Sequence, residues 1–202
     1  IGATVVSTPD LTWQFNYNVT YNENEITKLT ATDDPTYVGV PTGDISGAVG
    51  NKVQIHSVGH PANSFYVWEQ VYDEEGMPIE GLYVDRDGDG IITSDDKYRY
   101  EQPAPDVFMG FSSFLRYLNF DFSFAGRVNL GNFVYNNVDS KQAVYSVLYN
   151  STGYLNNVPN YIYDTRFENP KYFSDYYVRN ASFLRLDNAT LGYNFNNIAQ
   201  GN

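Results

Sequence analysis

The chain has 202 residues and no cysteine, which excludes a disulfide framework and any thiolate metal site. Its net charge is −12, with 12 Lys and Arg against 24 Asp and Glu, which argues against nucleic acid as a partner. The sequence begins at Ile1, and we find neither a leader peptide nor a run of about 18 apolar residues, so no targeting segment is predicted.

Four runs of alternating apolar and polar side chains predict long strands, near residues 11–22, 107–117, 120–130 and 183–195. In the first run every odd position from Leu11 to Tyr21 is apolar, and every even position is polar. The second and third runs are separated only by Leu118 and Asn119, which predicts a tight hairpin. Each run is about as long as the roughly 9–11 residues that a tilted strand needs to cross a bilayer.

Two interpretations of these strands remain open on pattern alone. An ordinary soluble sheet also alternates, but its strands usually span about 5 or 6 residues. An outer-membrane barrel requires an apolar exterior, a polar interior, and long loops on one side only. The links here are residues 23–106, then two residues, then residues 131–182. This long–short–long order favours a barrel, with both long links as extracellular loops.

The stretch "DRDGDGIITSDD" between residues 85 and 96 matches a twelve-position calcium loop. Gly90 stands at the sharp bend, and a side-chain or carbonyl oxygen is available at every ligand position. The candidate ligands are Asp85, Asp87, Asp89, the Ile91 carbonyl, Thr93 and Asp96.

The calcium loop departs from the helix–loop–helix pattern in two ways. Its last ligand is Asp96 rather than the longer Glu, and its flanking sequences look extended. We therefore expect a structural Ca²⁺ in a loop between strands, without the opening motion of a sensor, and we expect Ile92 to turn into apolar surroundings. The alternative is an Asp/Gly-rich turn without an ion, whose carboxylates cap backbone groups.

No pattern of residues predicts an enzyme. His56 and His60 are four apart, but Gly59 and Pro61 argue against a zinc-binding helix, and we interpret both as ordinary loop histidines. Paired acids such as Asp33 and Asp34 could serve glycoside hydrolysis, but such pairs are usually solvated loop charges.

Three stretches together resemble one family. They are "GLYVDRDGDGIITSDDKYRY", "PAPDVFMGFSSFLRYLNFDFSFAGRVNLGNFVYNN" and "YFSDYYVRNASFLRLDNATLGYNF". The chain is similar to the C-terminal part of the barrel of SusC/RagA-type TonB-linked outer-membrane transporters. Weaker likeness upstream extends the resemblance to nearly the whole chain.

The resemblance implies an all-β fold that is part of a plugged antiparallel barrel of about 22 strands in the outer membrane of a Gram-negative bacterium. It implies import of oligosaccharides or peptides, a SusD-like surface lipoprotein as lid, and contact with outer-membrane lipid. It also implies energy from TonB, reached through an N-terminal part and a plug domain that we do not find in this sequence. No bond-making chemistry is expected.

Two other functions remain open. One is a secreted, calcium-stabilised β-sandwich that binds carbohydrate through stacked aromatic rings. The other is a hydrolase that uses loop carboxylates. A two-layer core shared by the long strands would favour the sandwich, whereas a single wall with both faces uncovered would favour the barrel.

Overall fold

The computed structural model describes residues 1–32, 34–47 and 50–195. It divides into two compact units. The first, here called the sheet unit, comprises residues 1–22, 105–132 and 181–202, and is described as far as residue 195. The second, the loop unit, comprises residues 23–104 and 133–180. Within the described parts of the chain, no helix has the length and apolar character needed to cross a membrane.

Strands dominate the secondary structure, as predicted. In chain order the strands are β1 (Gly2–Ser7), β2 (Leu11–Tyr21), β3 (Val40–Asp44), β4 (Lys52–His56), β5 (Ser64–Val67), β6 (Gln70–Tyr72), β7 (Pro78–Tyr83), β8 (Tyr98–Arg99), β9 (Val107–Tyr117), β10 (Phe120–Leu130), β11 (Phe133–Tyr135), β12 (Val178–Asn180) and β13 (Phe183–Tyr193). The α-helices are α1 (Asn137–Gln142), α2 (Tyr145–Leu148) and α3 (Ile162–Thr165), and 3-10 turns span Ser94–Asp96 and Asp175–Tyr177.

The sheet unit is one antiparallel sheet of five strands in the order β1-β2-β9-β10-β13. Its four long strands occupy the four alternating runs, but β2 ends at Tyr21 and β13 at Tyr193, one and two residues before the predicted ends. Strand β1 is an addition that the sequence did not predict. It has six residues, and a register shift at Val5 interrupts its alternation.

The two faces of this sheet differ in chemistry, since one is apolar and the other is mainly polar, with Phe108, Phe114 and Phe183 as aromatic exceptions. Trp13, Leu115, Phe122 and Leu191 are successive partners across the sheet and form one row of the apolar face. The neighbouring row on the opposite face is polar, since Arg116 pairs with both Thr12 and Asp121.

Large side chains of the apolar face are not packed into a second layer. Trp13 is 40% exposed, Phe122 is 39% exposed, and Leu191 is 74% exposed. The β-sandwich interpretation required these rings to be buried in a core shared by two sheets. The described residues place no such core on the sheet unit, so the single-wall arrangement is the one observed.

A β-bulge explains the irregular start of the fourth run. Asn188 lies opposite Ala125, but the next partner pair is Leu186 with Gly126, so Asp187 is an extra residue in β13. Odd-numbered residues of β13 lie on the apolar face after the bulge, whereas even-numbered residues lie on it before the bulge. Leu184 and Leu186 therefore share the apolar face with Leu191. Asp187 turns to the polar face.

Connections at the two ends of the long strands differ in length. The turns after β1 and after β9 lie at the same end of the strands, where the Leu118 amide donates to the Asp10 carbonyl at 2.7 Å. Leu118 has a φ of 54°, a left-handed conformation that a leucine rarely adopts. Both long links leave from the opposite end of the strands. Short turns at one end and long loops at the other are expected of a barrel wall.

The loop unit has a hydrophobic core of its own. Strands β3, β4, β5 and β8 form one sheet, β11 pairs with β12, and β6 pairs with β7. Val53, Phe65, Val67 and Val178 are at most 7% exposed and form the centre of this core. Helices α1 and α2 are separated by Ala143 and Val144, both of which are buried.

Candidate functional site

The aspartate-rich loop lies between strands β7 and β8, and its second half forms the 3-10 turn Ser94–Asp96. Its flanks are therefore extended rather than helical, as the sequence indicated. The loop turns on Gly88 and Gly90, whose φ angles of 77° and 84° lie in the left-handed region. Because a side chain is strained in that region, glycine suits both positions.

Three of the predicted ligands converge. Oxygen atoms of Asp85, Asp87 and Asp89 lie within 4.8 Å of one another. Asp85 accepts hydrogen bonds from the amides of Gly88 at 2.7 Å and Gly90 at 2.8 Å. Asp87 accepts one from the Asp89 amide at 3.1 Å. These bonds orient the carboxylates, and since each oxygen has two lone pairs, they leave capacity for a cation.

The charges in this cluster repel one another. The hydrogen bond from the Asp89 amide lowers the pKa of Asp87, but desolvation and the charges of Asp89, Asp96 and Asp85 together outweigh it, and the pKa is raised above 3.8. Three carboxylates at this spacing are a donor set that suits a hard divalent cation such as Ca²⁺. The residues present therefore fit the ion that the sequence suggested.

Asp96, the predicted last ligand, has a different setting. Its side chain is 0% exposed, and it accepts hydrogen bonds from the amides of Thr93 at 2.7 Å and Arg86 at 2.8 Å. Together with Thr93 it forms a capping box. The Thr93 hydrogen bond is the main reason why the pKa of Asp96 is lowered. Asp96 thus joins the two ends of the loop, and its carboxylate also interacts with that of Asp85.

The remaining predicted positions lie around the exposed tip. The Ile91 side chain is 64% exposed. Ile92 is 37% exposed, so the expectation that it turns into apolar surroundings is wrong. The Thr93 hydroxyl accepts from the Asp95 amide at 3.1 Å, and the Thr93 carbonyl accepts from the Trp68 indole at 2.6 Å.

An aromatic cage around Lys97 anchors the loop, and sequence reasoning missed it. The Lys97 ammonium lies 3.8 Å from the ring centre of Phe173, 4.4 Å from Trp68 and 5.7 Å from Tyr66. Lys97 is in none of the ion pairs seen among the described residues. Desolvation lowers its pKa to about 8, while the ring faces attract the charged form.

A polar network fixes the strand that follows the loop. The Tyr98 hydroxyl donates to Asp175 at 2.8 Å, and the backbone amide of Gln70 donates to the same carboxylate at 3.0 Å. Burial raises the pKa of Asp175. The Gln70 side chain also accepts from the Ser174 hydroxyl at 2.8 Å. The buried Gln70 thus joins β6 to the segment around Ser174 and Asp175.

Several known proteins are similar to the chain in sequence. No protein-family model matches it. It is 50% identical over 98% of its length to the TonB-dependent receptor SusC of Bacteroides thetaiotaomicron, and covers 20% of that protein. It is 28% identical over 94% of its length to the TonB-dependent receptor P3 of Formosa agariphila, again covering 20%. The chain therefore spans about a fifth of the length of these relatives.

Solved structures agree with the sequence relatives on the fold. The RagAB peptide transporter superposes with a TM-score of 0.63 at 22% identity, covering 95% of this chain and 22% of the transporter chain. A second RagAB structure, described as a peptide importer in an open-open state, gives a TM-score of 0.60. At this level of identity the likeness establishes the fold. The proteins matched are named as receptors and transporters, and the prediction that the chain is not an enzyme agrees with them.

Proposed function

Because the chain belongs to the TonB-dependent receptor family, in its SusC/RagA branch, we propose that it forms part of the wall of an outer-membrane barrel that imports nutrients. Its sheet unit faces lipid on one side and an aqueous passage on the other. Its part in import is recognition and conduction, without bond-making chemistry.

One observation carries this proposal: a sheet with one apolar and one polar face, neither covered by a second layer. Trp13 and Phe122 would remain 40% and 39% exposed in water, where such a surface is an aggregation hazard. In a bilayer the same face is solvated by hydrocarbon, and further strands on either side satisfy the free edges of β1 and β13. The open sheet is therefore consistent with a segment of a larger closed barrel.

The partners follow from the relatives at the level of a proposal. RagAB is described as a peptide transporter and SusC as a TonB-dependent receptor. We infer that the complete transporter works with a SusD-like surface lipoprotein over the long loops and receives energy from TonB through its N-terminal part. Oligosaccharides and peptides both remain candidate cargoes.

Cysteine labelling of the two faces of the sheet, in the complete transporter, tests whether the sheet unit is a barrel wall. This segment has no cysteine, so Phe122→Cys and its neighbour Ser123→Cys can be compared on a cysteine-free background. A membrane-impermeant maleimide should modify Ser123→Cys, whereas Phe122→Cys should react only after detergent is added. Equal reactivity of the two positions in intact outer membranes would contradict the proposed orientation.

We further propose a structural Ca²⁺ in the aspartate-rich loop, held by Asp85, Asp87, Asp89 and Asp96 and completed by the Ile91 carbonyl and Thr93. Asp96 also holds the loop ends together through its bonds to backbone amides. A bound cation would offset the repulsion that raises the pKa of Asp87 and would order a loop that the core does not cover.

Calcium titration of the complete transporter tests this site. Millimolar Ca²⁺ should raise the urea midpoint at which a protease cuts the loop unit, and Asp87→Asn should remove most of that protection. Asp95→Asn is the matched control, since Asp95 belongs to the same loop but not to the cluster of three carboxylates. If Ca²⁺ protects neither the wild type nor the control, the loop is a turn without an ion.

A further inference from the structure

A cavity of about 710 Å³ lies within the loop unit, away from the aspartate-rich loop. Its described wall is built from residues 27–30 and 34–38, together with Ser57, Val58, His60 and Arg99, all of which belong to the first long link. A volume in this range accommodates a small ligand, and most such pockets carry a few fixed polar groups.

Arg99 is a fixed cation in this wall. Its Nε donates to the Ser57 hydroxyl at 3.1 Å, and its Nη2 donates to the Val38 carbonyl at 2.7 Å. The guanidinium also lies over the Tyr66 ring, 5.1 Å from its centre. These contacts hold the group in place but engage only neutral partners, and Arg99 is in none of the ion pairs among the described residues. A guanidinium has five N–H donors, so several remain available to a ligand.

Cations outnumber acids among the described residues that line the cavity. Lys28 adds a second cation, whereas the acid among the described lining residues is Asp34. The Asp34 carboxylate is already engaged by the Thr36 hydroxyl at 2.7 Å and amide at 2.9 Å. A positive cavity is unexpected in a chain whose net charge is −12, and it favours an anionic ligand.

His60 lies close enough to Arg99 for the charge of Arg99 to affect its pKa. Desolvation is the main cause of its lowered pKa, and the charge of Arg99 lowers the pKa further, against an opposing effect of Glu25. His60 is therefore neutral at neutral pH. Because a bound anion would offset the charge of Arg99, it would draw a proton onto His60.

We propose that this cavity binds an acidic sugar, with its carboxylate on Arg99. A planar guanidinium matches a carboxylate through two parallel hydrogen bonds. The remaining lining suits a sugar ring, since it offers the Thr27 hydroxyl, the hydroxyl oxygens of Thr30 and Thr36 as acceptors, and the half-exposed ring of Tyr37. This site goes beyond the proposed role of the chain in import, because it lies in the loop unit and requires no transport step.

Calorimetric titration of the complete transporter in detergent tests the ligand class. The probes are galacturonate, its neutral counterpart galactose, and N-acetylalanine as a carboxylate without a sugar ring. We expect galacturonate to bind about tenfold more tightly than galactose, the effect of one charge-assisted contact, and more tightly than N-acetylalanine. Equal binding of galacturonate and galactose would overturn the anion site, and preference for N-acetylalanine would overturn the sugar.

Variants place the binding in this cavity rather than elsewhere in the transporter. Arg99→Gln should weaken galacturonate about tenfold. Since Arg99 also packs on Tyr66, the exposed Lys28→Gln is a second variant that preserves the fold, and it should weaken binding by a smaller factor. Lys52→Gln is the matched control, because Lys52 pairs with Asp44 at 3.8 Å and does not line the cavity. Loss of binding in Lys52→Gln but not in Lys28→Gln would contradict the proposal.

Proton uptake gives an independent readout. Galacturonate binding near pH 6.5 should take up protons, seen as a dependence of the binding enthalpy on the ionisation enthalpy of the buffer. The uptake should disappear in His60→Gln while binding persists. Failure of transport would leave these binding results unchanged, so the acidic-sugar site and the import proposal can fail separately. Binding of galacturonate without any proton uptake would contradict its placement beside His60 and Arg99.

Discussion

The sheet unit and the loop unit place their apolar side chains in opposite ways. Every buried hydrophobic residue of the described chain lies in the loop unit. Phe65 of the loop unit is 2% exposed, whereas Phe122 of the sheet unit is 39% exposed. The same residue type is thus used as a core residue in one region and as a surface residue in the other. The proposed role as a barrel wall accounts for this difference, because it places the two regions in two different solvents.

The source of stability differs accordingly. The loop unit excludes water from its own core and can hold its shape in an aqueous setting. As part of the proposed barrel wall, the sheet unit would rely on its hydrogen-bond ladders and on a surrounding medium that is apolar on one side. Equivalent substitutions in the two units should therefore have unequal effects, and the following experiments use matched pairs for that reason.

Truncating one phenylalanine in each unit should give the largest contrast. Phe65→Ala should cost the loop unit about 3–5 kcal/mol of unfolding free energy, because it leaves a cavity in a packed core. Phe122→Ala should cost much less, since lipid refills the space. The urea dependence of proteolysis in the loop unit and of barrel unfolding in lipid would measure both. Similar costs would mean that Phe122 is a core residue.

Charge insertion tests the two faces of the sheet unit. Phe122→Arg should destabilise the barrel by about 2–4 kcal/mol if its position is near the bilayer midplane, because the guanidinium would enter hydrocarbon. Ser123→Arg, one residue later on the polar face, should have a small effect. The comparison is made by unfolding the complete transporter from lipid vesicles. A larger loss for Ser123→Arg would reverse the assignment of the faces.

The polar network in the loop unit should show an intermediate effect. Asp175→Ala removes the acceptor of the Tyr98 hydroxyl and the Gln70 amide, and should cost about 1–3 kcal/mol because both donors are left unsatisfied. Glu74→Ala, at an exposed turn, is the control and should be nearly neutral. The urea midpoint of proteolysis distinguishes them. Equal midpoints would show that water replaces the carboxylate without cost.

The smallest effect concerns Lys97 and depends on pH. Its pKa is about 8 in the folded chain against an ordinary 10.5, so between these values the unfolded chain holds a proton that the folded chain has released. Stability contributed by Lys97 therefore rises with pH in this window. The gain should be less than about 1 kcal/mol, because the side chain is partly solvated.

Comparison with Lys97→Met isolates this contribution from other groups that titrate at alkaline pH. The difference in urea midpoint between the wild type and Lys97→Met should move in favour of the wild type between about pH 8 and pH 10. A difference that stays constant with pH would show that the ring faces keep the ammonium charged throughout the window.

Much of the sheet unit was predictable because its signal is repeated along each strand. Strands β9 and β10 have the bounds that alternation indicated, since each residue faces one of two different media. Strand β1 was missed because its six residues contain an interruption at Val5. The start of β13 looked irregular because a single inserted residue hides an otherwise regular pattern.

The loop unit was less predictable, because its contacts join distant parts of the chain. The spacing of Asp85, Asp87 and Asp89 is local, so their convergence followed from the motif. The same motif gave Asp96 a ligand role, although its burial and its bonds to backbone amides depend on the folded turn. No local pattern connects Lys97 with Phe173, and the charge of the cavity around Arg99 likewise arises only when separate segments meet.

The bulge at Asp187 has a consequence for genetic variation. Leu184 and Leu186, before the bulge, lie on the same surface as Leu191, after it, only because β13 contains this one extra residue. Asp187 itself lies 3.6 Å from Arg127 and 3.4 Å from Arg185. Removing a single codon there would rotate one half of the strand by half a turn and present Arg185 to the oily side. Length at this point is therefore constrained more tightly than residue identity, and insertions or deletions should be tolerated less well than substitutions.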